Sequence, residues 1–144
     1  MSILIAIVLS YLLGSIMFSL IIGKMLKGVD IRKHGSGNAG ATNTLRVLGV
    51  VPAIIVFALD ISKGIAAVWI GEWLTDGNQW ATVGCGLAAI VGHNWPIFFK
   101  FRGGKGIATT IGVVAVLSFV PAACAGVIAI AAVIITRYVS LGSL

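Results

Sequence analysis

Charged residues are scarce in this sequence of 144 amino acids: only 10% are Asp, Glu, Lys or Arg, whereas 59% are apolar and the mean hydropathy is +1.11. Soluble domains carry about 25% charged residues, and a soluble domain of this length could not hide so much apolar surface from water. Residues 2–23 and 106–136 contain no charge at all. Because about 20 such residues span the hydrocarbon core of a bilayer, the composition predicts a polytopic membrane protein.

Cysteine is also rare, since the chain has only Cys85 and Cys124. Two cysteines cannot form the framework of a disulfide-rich secreted protein, and because each lies in an apolar run we expect small buried thiols. The apolar runs are continuous rather than alternating, which argues against a transmembrane β-barrel. The sequence therefore predicts membrane-spanning helices.

Acidic residues are the scarcest charged type: four Asp and Glu stand against ten Lys and Arg, a net charge of +6. All of the excess is in residues 24–46 and 100–105, with net charges of +4 and +3, since the rest of the chain has a net charge of −1. Because basic loops of membrane proteins tend to stay in the cytoplasm, we expect these two loops to be cytoplasmic, and the acidic turn at 75–79 and the N-terminus to lie outside. This charge favours an anionic substrate or anionic lipid over nucleic acid.

The apolar runs predict an all-α bundle of about five membrane spans. With no repeat or linker, it forms a single membrane-embedded domain over residues 1–144. Residues 106–136 would make about 46 Å of helix, which exceeds one crossing of about 30 Å. The predicted spans are residues 2–23, residues 47–74 as one broken or tilted crossing, residues 80–99, and two short spans within residues 106–136 that turn near Ser118–Pro121.

Glycines dominate the centre of the first basic loop. Gly35, Gly37 and Gly40 have the spacing G-x-G-x-x-G, but a dinucleotide site also needs a preceding strand, and here a membrane span precedes. Bare backbone N–H groups can instead form a nest for phosphate oxygens. The alternative, a flexible linker, leaves the polar side chains of the loop unexplained. These candidate anion-binding residues are Ser36, Gly37, Asn38, Thr42, Asn43 and Arg46.

The second basic loop also favours a phosphorylated ligand. Gly103, Gly104, Lys105 and Gly106 stand at the start of a predicted helix, where oriented N–H groups and a cation would attract an anion. The loop is not a Walker A motif, which needs Ser or Thr directly after the lysine. The alternative is simple anchoring of the loop in the cytoplasm by its positive charge, which would have no use for the glycines.

Asp60, Lys63 and His93 are the candidates for a functional role among the polar residues within predicted spans. Asp60 and Lys63 are three residues apart on one helical face and could pair, either structurally or to position a loop. His93 has no Asp, Glu or Cys near it along the chain, so we expect helix-end structure or a supporting role more than direct catalysis, and no metal site. Neither basic loop has a pair of carboxylates, so the chemistry should depend on binding and positioning anions rather than on a strong protein base.

Residues 35–46, GSGNAGATNTLR, resemble the first motif of the bacterial acyl-phosphate-dependent glycerol-3-phosphate acyltransferases. Residues 92–109, GHNWPIFFKFRGGKGIAT, resemble the second motif, the glycerol phosphate loop of that family. The segment at 60–64 and the closing run TRYVSLGS are also similar. The resemblance covers essentially the whole chain. It implies a seven-span bundle in the bacterial inner membrane, of which this chain is expected to lack the last spans and the third motif.

The resemblance implies transfer of an acyl group from acyl phosphate to the 1-hydroxyl of sn-glycerol 3-phosphate. The products would be lysophosphatidate and phosphate, within phospholipid synthesis and without a metal or organic cofactor. The membrane lipid would be the other partner, and nucleic acid is not one. The implied roles are catalytic for Ser36, Arg46 and Lys105 and substrate-binding for Gly37, Asn38, Thr42, Asn43, Gly103, Gly104, Gly106, Ser140 and Ser143. The residues considered above, Asp60, Lys63 and His93, would support this site.

Two other functions fit parts of the sequence. A transporter or channel for a small phosphorylated metabolite would also use basic loops and interrupted spans, but its charges should lie near the middle of the membrane, where only Asp60 and Lys63 qualify. A purely structural membrane subunit leaves both glycine loops unexplained. With both loops predicted on one side of the membrane, an enzyme is favoured.

Overall fold

The computed structural model describes residues 1–118, and these residues form helices without any strand. Three segments are long and apolar enough to cross a membrane: Ser2–Lys27, Val50–Leu74 and Gln79–Phe99. The expected all-helical membrane bundle is confirmed, whereas the total of five spans stays a prediction. The α-helices are α1 (Ser2–Gly14), α2 (Phe18–Lys27), α3 (Ala41–Leu48), α4 (Val50–Leu74), α5 (Gln79–Asn94) and α6 (Ile107–Leu117), with short 3-10 helices at Ile31–Lys33 and Ile97–Phe99.

The first predicted span, residues 2–23, falls within the segment Ser2–Lys27, but this segment is two helices rather than one. Ser15, Ile16 and Met17 separate α1 from α2. The last carbonyl groups of a helix lack partners within it, and here Lys63 of α4 donates to the carbonyl oxygens of Gly14 and Ile16, at 2.9 and 2.8 Å. A side chain 47 or more residues away therefore stabilises the break.

Helix α4 is unbroken over its 25 residues, about 37 Å at 1.5 Å per residue, so its charged residues Asp60 and Lys63 do not interrupt the helix. Asp60 and Lys63 pair at 3.0 Å, which confirms the pairing predicted from their spacing. The crossing predicted for residues 47–74 is broken before α4, at Gly49. This glycine has a positive φ of 94° and separates α3 from α4.

Small residues let the helices approach closely, as is common in membranes. Gly92 of α5 lies against the carbonyl oxygen of Tyr11 in α1, and a methyl group there would collide with it. Gly64 of α4 lies in the same way against the carbonyl oxygen of Thr109 in α6. Helix α4 contacts α1, α5 and α6 and is the centre of the bundle.

Both basic segments lie at the same end of the bundle. We name residues 28–40, between α2 and α3, the first loop, and residues 95–106, between α5 and α6, the second loop. The acidic turn that joins α4 to α5 lies at the other end, a full helix length away. Helix α6 ends at Leu117, where the predicted turn at Ser118–Pro121 begins. The second half of the predicted hairpin, Cys124, Ser140 and Ser143 lie outside the described residues, and Cys85 is buried as expected.

Candidate active site

Asn43 organises the first loop from the first turn of α3. Its side-chain Nδ2 donates to the carbonyl oxygens of Ile31 and His34, at 2.8 and 3.1 Å, and its Oδ1 accepts from the backbone N–H of Ser36 at 2.9 Å. The side chain is buried, with 1% exposed. Because both amide protons are already used inside the protein, Asn43 holds the loop rather than reaching out from it, which differs from the substrate contact expected for it.

Gly35 is required by the same arrangement. Its φ is +59°, a conformation that residues with a side chain rarely adopt, and a methyl group on it would collide with Oδ1 of Asn43. The turn exposes Ser36 and Gly37 and leaves Asn38 half-buried. Ser36 is thus presented at the surface of the loop by its backbone bond to Asn43.

Helix α3 carries two further predicted site residues. Thr42 and Arg46 are four residues apart and so share one face of the helix, and both are exposed. Ser36 is exposed in the loop before α3, and Arg46 is exposed in the last turn of α3. This leaves a hydroxyl group and a cation available to an anionic ligand.

The second loop folds back onto the end of α5. The N–H of Gly103 donates to the carbonyl oxygen of Asn94 at 3.2 Å, and the N–H of Gly104 donates to that of His93 at 3.1 Å. The expectation that these two N–H groups point at a ligand is therefore wrong. Both residues must be glycine because a methyl group would collide with the carbonyl oxygen of His93 at position 103 and with its ring at position 104.

Lys105 and the start of α6 remain the candidate anion-binding elements of the second loop. Lys105 is exposed. Gly106 follows with a φ of +75° and is the N-cap of α6, which begins at Ile107. The N-terminus of a helix carries a partial positive charge and N–H groups that its own carbonyls do not satisfy. A lysine next to such a terminus suits an anion such as phosphate.

Arg32 joins the two loops, a role that the sequence did not reveal. Its Nη1 donates to the carbonyl oxygens of Phe99 and Arg102 in the second loop, at 3.0 and 3.2 Å. Its Nη2 and Nε bind the carboxylate of Asp30, the former at 2.8 Å. The only signal in the sequence was the close spacing of Asp30 and Arg32, because the partners in the second loop lie about 70 positions away.

The bond to Arg32 also fixes the charge of Asp30. The hydrogen bond from the Arg32 side chain is the largest influence and lowers the pKa of Asp30 below its ordinary 3.8, against a smaller opposing effect of burial. The pKa of Arg32 is raised for the same reason. The pair therefore stays ionised at all pH values at which a membrane enzyme would work.

A buried polar cluster lies beneath the second loop. Nδ1 of His93 is 3.7 Å from Oδ1 of Asp60, which is itself paired with Lys63. Although no carboxylate is near His93 along the chain, α4 brings Asp60 to it across the bundle. The ring of His93 lies against Gly104. The three predicted supporting residues thus form one group that contacts the second loop. Within residues 1–118, no three His, Cys, Asp or Glu side chains come together where they could hold a metal ion.

Comparison with known proteins agrees with this arrangement. The sequence model of a family described as glycerol-3-phosphate acyltransferase matches residues 4–144. The glycerol-3-phosphate acyltransferase of Halalkalibacterium halodurans is 65% identical over 136 residues, which are 94% of this chain and 66% of that protein. That of Shouchella clausii is 58% identical over 144 residues, 99% of this chain and 70% of that protein. The chain thus spans about two thirds of the length of these curated relatives.

Solved structures with the same fold are those of PlsY (YgiH), an integral membrane glycerol 3-phosphate acyltransferase. Its glycerol 3-phosphate form has a TM-score of 0.92 and 42% identity, covering 99% of this chain and 71% of that one. Its lysophosphatidic acid form has a TM-score of 0.89 and 41% identity, covering 99% and 70%. The resemblance seen in the two glycine motifs is thereby confirmed: the chain belongs to the glycerol-3-phosphate acyltransferase family of membrane enzymes.

Proposed function

We propose that this chain carries the two phosphate-binding loops of an enzyme that acylates glycerol 3-phosphate with acyl phosphate. The observation that carries the proposal is that Arg32 holds a serine-bearing glycine loop and a lysine-bearing glycine loop against each other at one end of a membrane bundle. Two adjacent basic loops suit a reaction in which both substrates carry phosphate. The glycerol 3-phosphate and lysophosphatidic acid forms of PlsY support the acceptor and the product.

The first loop would bind the acyl phosphate. Exposed Ser36 and the bare backbone at Gly37 can donate hydrogen bonds to its oxygens, and Arg46 on α3 can offset its charge. Asn38 and Thr42 border the same surface. Asn43 acts on this site through the backbone of Ser36, so we assign it to positioning.

The second loop would bind glycerol 3-phosphate. Lys105 would contact the phosphate together with the N-terminus of α6, for which Gly106 is the N-cap. Gly103 and Gly104 set the path of the backbone that leads to Lys105, and the buried group of Asp60, Lys63 and His93 supports them from below. Ser140 and Ser143 remain predicted contributors to the same site.

The reaction would need no strong protein base. The 1-hydroxyl oxygen of glycerol 3-phosphate attacks the carbonyl carbon of the acyl phosphate, an ester bond forms, and the bond from that carbon to the phosphate oxygen breaks. The hydroxyl proton passes to the departing phosphate. Asp30, the carboxylate of the first loop, is already bound to Arg32, which is consistent with phosphate as the acceptor of the proton. Positioning and charge compensation would then supply the catalysis.

We also propose that the loops face the cytoplasm from the inner membrane, in accord with their positive charge. A transporter is less suited to this architecture. The buried charges of α4, Asp60 and Lys63, are paired with each other, and Lys63 in addition binds the end of α1. They are committed to structure and do not line a path for a metabolite.

The test is formation of labelled lysophosphatidate from acyl phosphate and labelled glycerol 3-phosphate by purified protein in detergent. It should be run on this chain and on a chimera in which residues 1–144 continue into the C-terminal third of the Halalkalibacterium halodurans relative. We expect product that is lost in Lys105→Ala and Ser36→Ala and kept in Lys33→Ala, which removes an exposed cation from the first loop. If the folded chimera gives no lysophosphatidate, the proposal is wrong. Flux of glycerol 3-phosphate into vesicles would then test the alternative, a transporter.

A further inference from the structure

We infer that Arg32 is a positioning residue that holds the second loop in the conformation that binds glycerol 3-phosphate. The inference rests on the proposed function of that loop. It adds a residue outside both glycine motifs, and it gives the first loop an influence on the substrate bound by the second.

Four of the five N–H donors of Arg32 are used inside the protein. One edge of the guanidinium binds Asp30, with Nε at 3.0 Å from Oδ1 and Nη2 at 2.8 Å from Oδ2. The other edge donates to two carbonyl oxygens of the second loop. The side chain is 24% exposed. A cation engaged on both edges is suited to fixing backbone, not to receiving a substrate phosphate.

The backbone that Arg32 holds is an unfavourable turn. Lys100 and Phe101 both have positive φ, 59° and 57°, which is uncommon for residues other than glycine and costs free energy. The two acceptors of Arg32, the carbonyl groups of Phe99 and Arg102, stand on either side of this pair. Arg32 therefore bridges the turn from its first residue to its last.

The turn leads directly into the proposed glycerol phosphate site. Arg102 is followed by the two glycines that pack on the end of α5 and then by Lys105. Without the hydrogen bonds from Arg32, the turn can leave its unfavourable backbone conformation. The backbone at Arg102, three residues before Lys105, then moves. The first loop keeps its own shape, because Asn43 holds it independently.

Lysine cannot replace arginine here. A guanidinium presents donors on two edges in a fixed plane, whereas an ammonium is one compact charge. Arg32→Lys keeps the charge but cannot reach the carboxylate of Asp30 and both carbonyl groups together. This variant therefore separates geometry from charge.

The experiment measures KM for each substrate, kcat and the thermal unfolding temperature in the chimera described above. Its variants are Arg32→Lys, Arg32→Gln, Asp30→Asn, the double variant Asp30→Asn/Arg32→Gln, and Lys33→Gln as a control that removes one charge from the neighbouring position. We expect Arg32→Lys and Arg32→Gln to raise the KM for glycerol 3-phosphate about ten- to a hundredfold, a size typical of misplacement near 1 Å. The KM for acyl phosphate should stay within about twofold.

Asp30→Asn should raise the same KM by less, and the double variant should match Arg32→Gln, because Asp30 acts only through Arg32. If Arg32 merely attracted anions, Arg32→Lys would leave the KM for glycerol 3-phosphate unchanged. Lys33→Gln would raise this KM as much as Arg32→Gln does, and Asp30→Asn would lower it. Any of these results overturns the inference, as does an equal rise in both KM values with a lower unfolding temperature. Calorimetric binding of glycerol 3-phosphate repeats the comparison without turnover, so an inactive chimera contradicts the proposed function alone.

Discussion

Lys63 and Asp60 form an ion pair inside the bundle, with Nζ 3.0 Å from Oδ1 and only 1% and 2% of the side chains exposed. The same ammonium group donates to the carbonyl oxygens of Gly14 and Ile16. The ammonium group, the carboxylate and the two carbonyl groups thus meet where α1 ends. The stability of the break between α1 and α2 therefore depends on α4.

Lys63→Met should destabilise the protein by about 3–5 kcal/mol, because it leaves a buried carboxylate without its partner and two carbonyl groups without a donor. Thermal unfolding in detergent, followed by tryptophan fluorescence, measures the effect. Lys24→Met, on the exposed side of α2, is the control and should change stability by less than about 0.5 kcal/mol. The double variant Asp60→Asn/Lys63→Met should recover part of the loss. Equal unfolding of Lys63→Met and wild type would contradict the structural role of the pair.

Gly103→Ala should raise the KM for glycerol 3-phosphate at least about tenfold, since the added methyl group collides with the carbonyl oxygen of His93 and forces the second loop away from α5. Gly84→Ala is the matched control. A methyl group there would be 3.7 Å from the Ile7 side chain, an ordinary contact, and a helical Gly→Ala change is expected to stabilise by about 0.5–1 kcal/mol. Normal kinetics in Gly103→Ala would show that the packing of this loop does not shape the site.

Asn43→Asp should loosen the first loop, because it replaces the Nδ2 donor with an oxygen that faces the carbonyl groups of Ile31 and His34. Each lost bond to a buried group costs about 1–3 kcal/mol. Trypsin should then cut faster after Arg32 and Lys33, which mass spectrometry of the fragments can quantify. Asn38→Asp adds the same charge to the same loop at a half-buried position and should not accelerate cleavage. Similar rates in the two variants would refute the assigned role of Asn43.

The KM for glycerol 3-phosphate should have no inflection from Asp30 between pH 5 and 8. Its pKa is lowered below 3.8, chiefly by the hydrogen bond from Arg32. A lowered pKa means that the contribution of the ion pair is fully present above 3.8 and disappears only as the pH falls through the lowered value. The profiles of wild type and Asp30→Asn should therefore be parallel, with any inflection near pH 6 due to the substrate phosphate. An inflection that only wild type shows would contradict this assignment.

Local patterns predicted the parts of this structure that depend on local physics. Long apolar runs gave the membrane helices, and the spacing of Asp60 and Lys63 predicted their pairing. The break after Gly14 was missed, because its stabilising donor comes from another helix. Hydropathy describes a residue's preference for lipid and carries no information about such a partner.

The candidate site shows the same division. Composition and spacing identified both loops and most of their polar residues, because bare glycines beside cations are an unusual and local feature. The roles of Asn43 and Arg32 depend on which carbonyl groups the folded chain brings to them. In the sequence, Arg32 contributes only one positive charge to the first loop. The ability of its planar guanidinium to bind partners on two edges becomes apparent only in the folded chain, where the second loop lies beside it.

The bond between Lys63 and the end of α1 also bears on how the protein enters the membrane. A lone lysine at the centre of a helix costs roughly 2.5–3.5 kcal/mol to insert. The ribosome completes α1, with its accepting carbonyl groups, long before Lys63 emerges, and Asp60 is made only three residues earlier. The acceptors of Lys63 are therefore made before the charged helix, so that insertion of α4 and its pairing with α1 can proceed as one event.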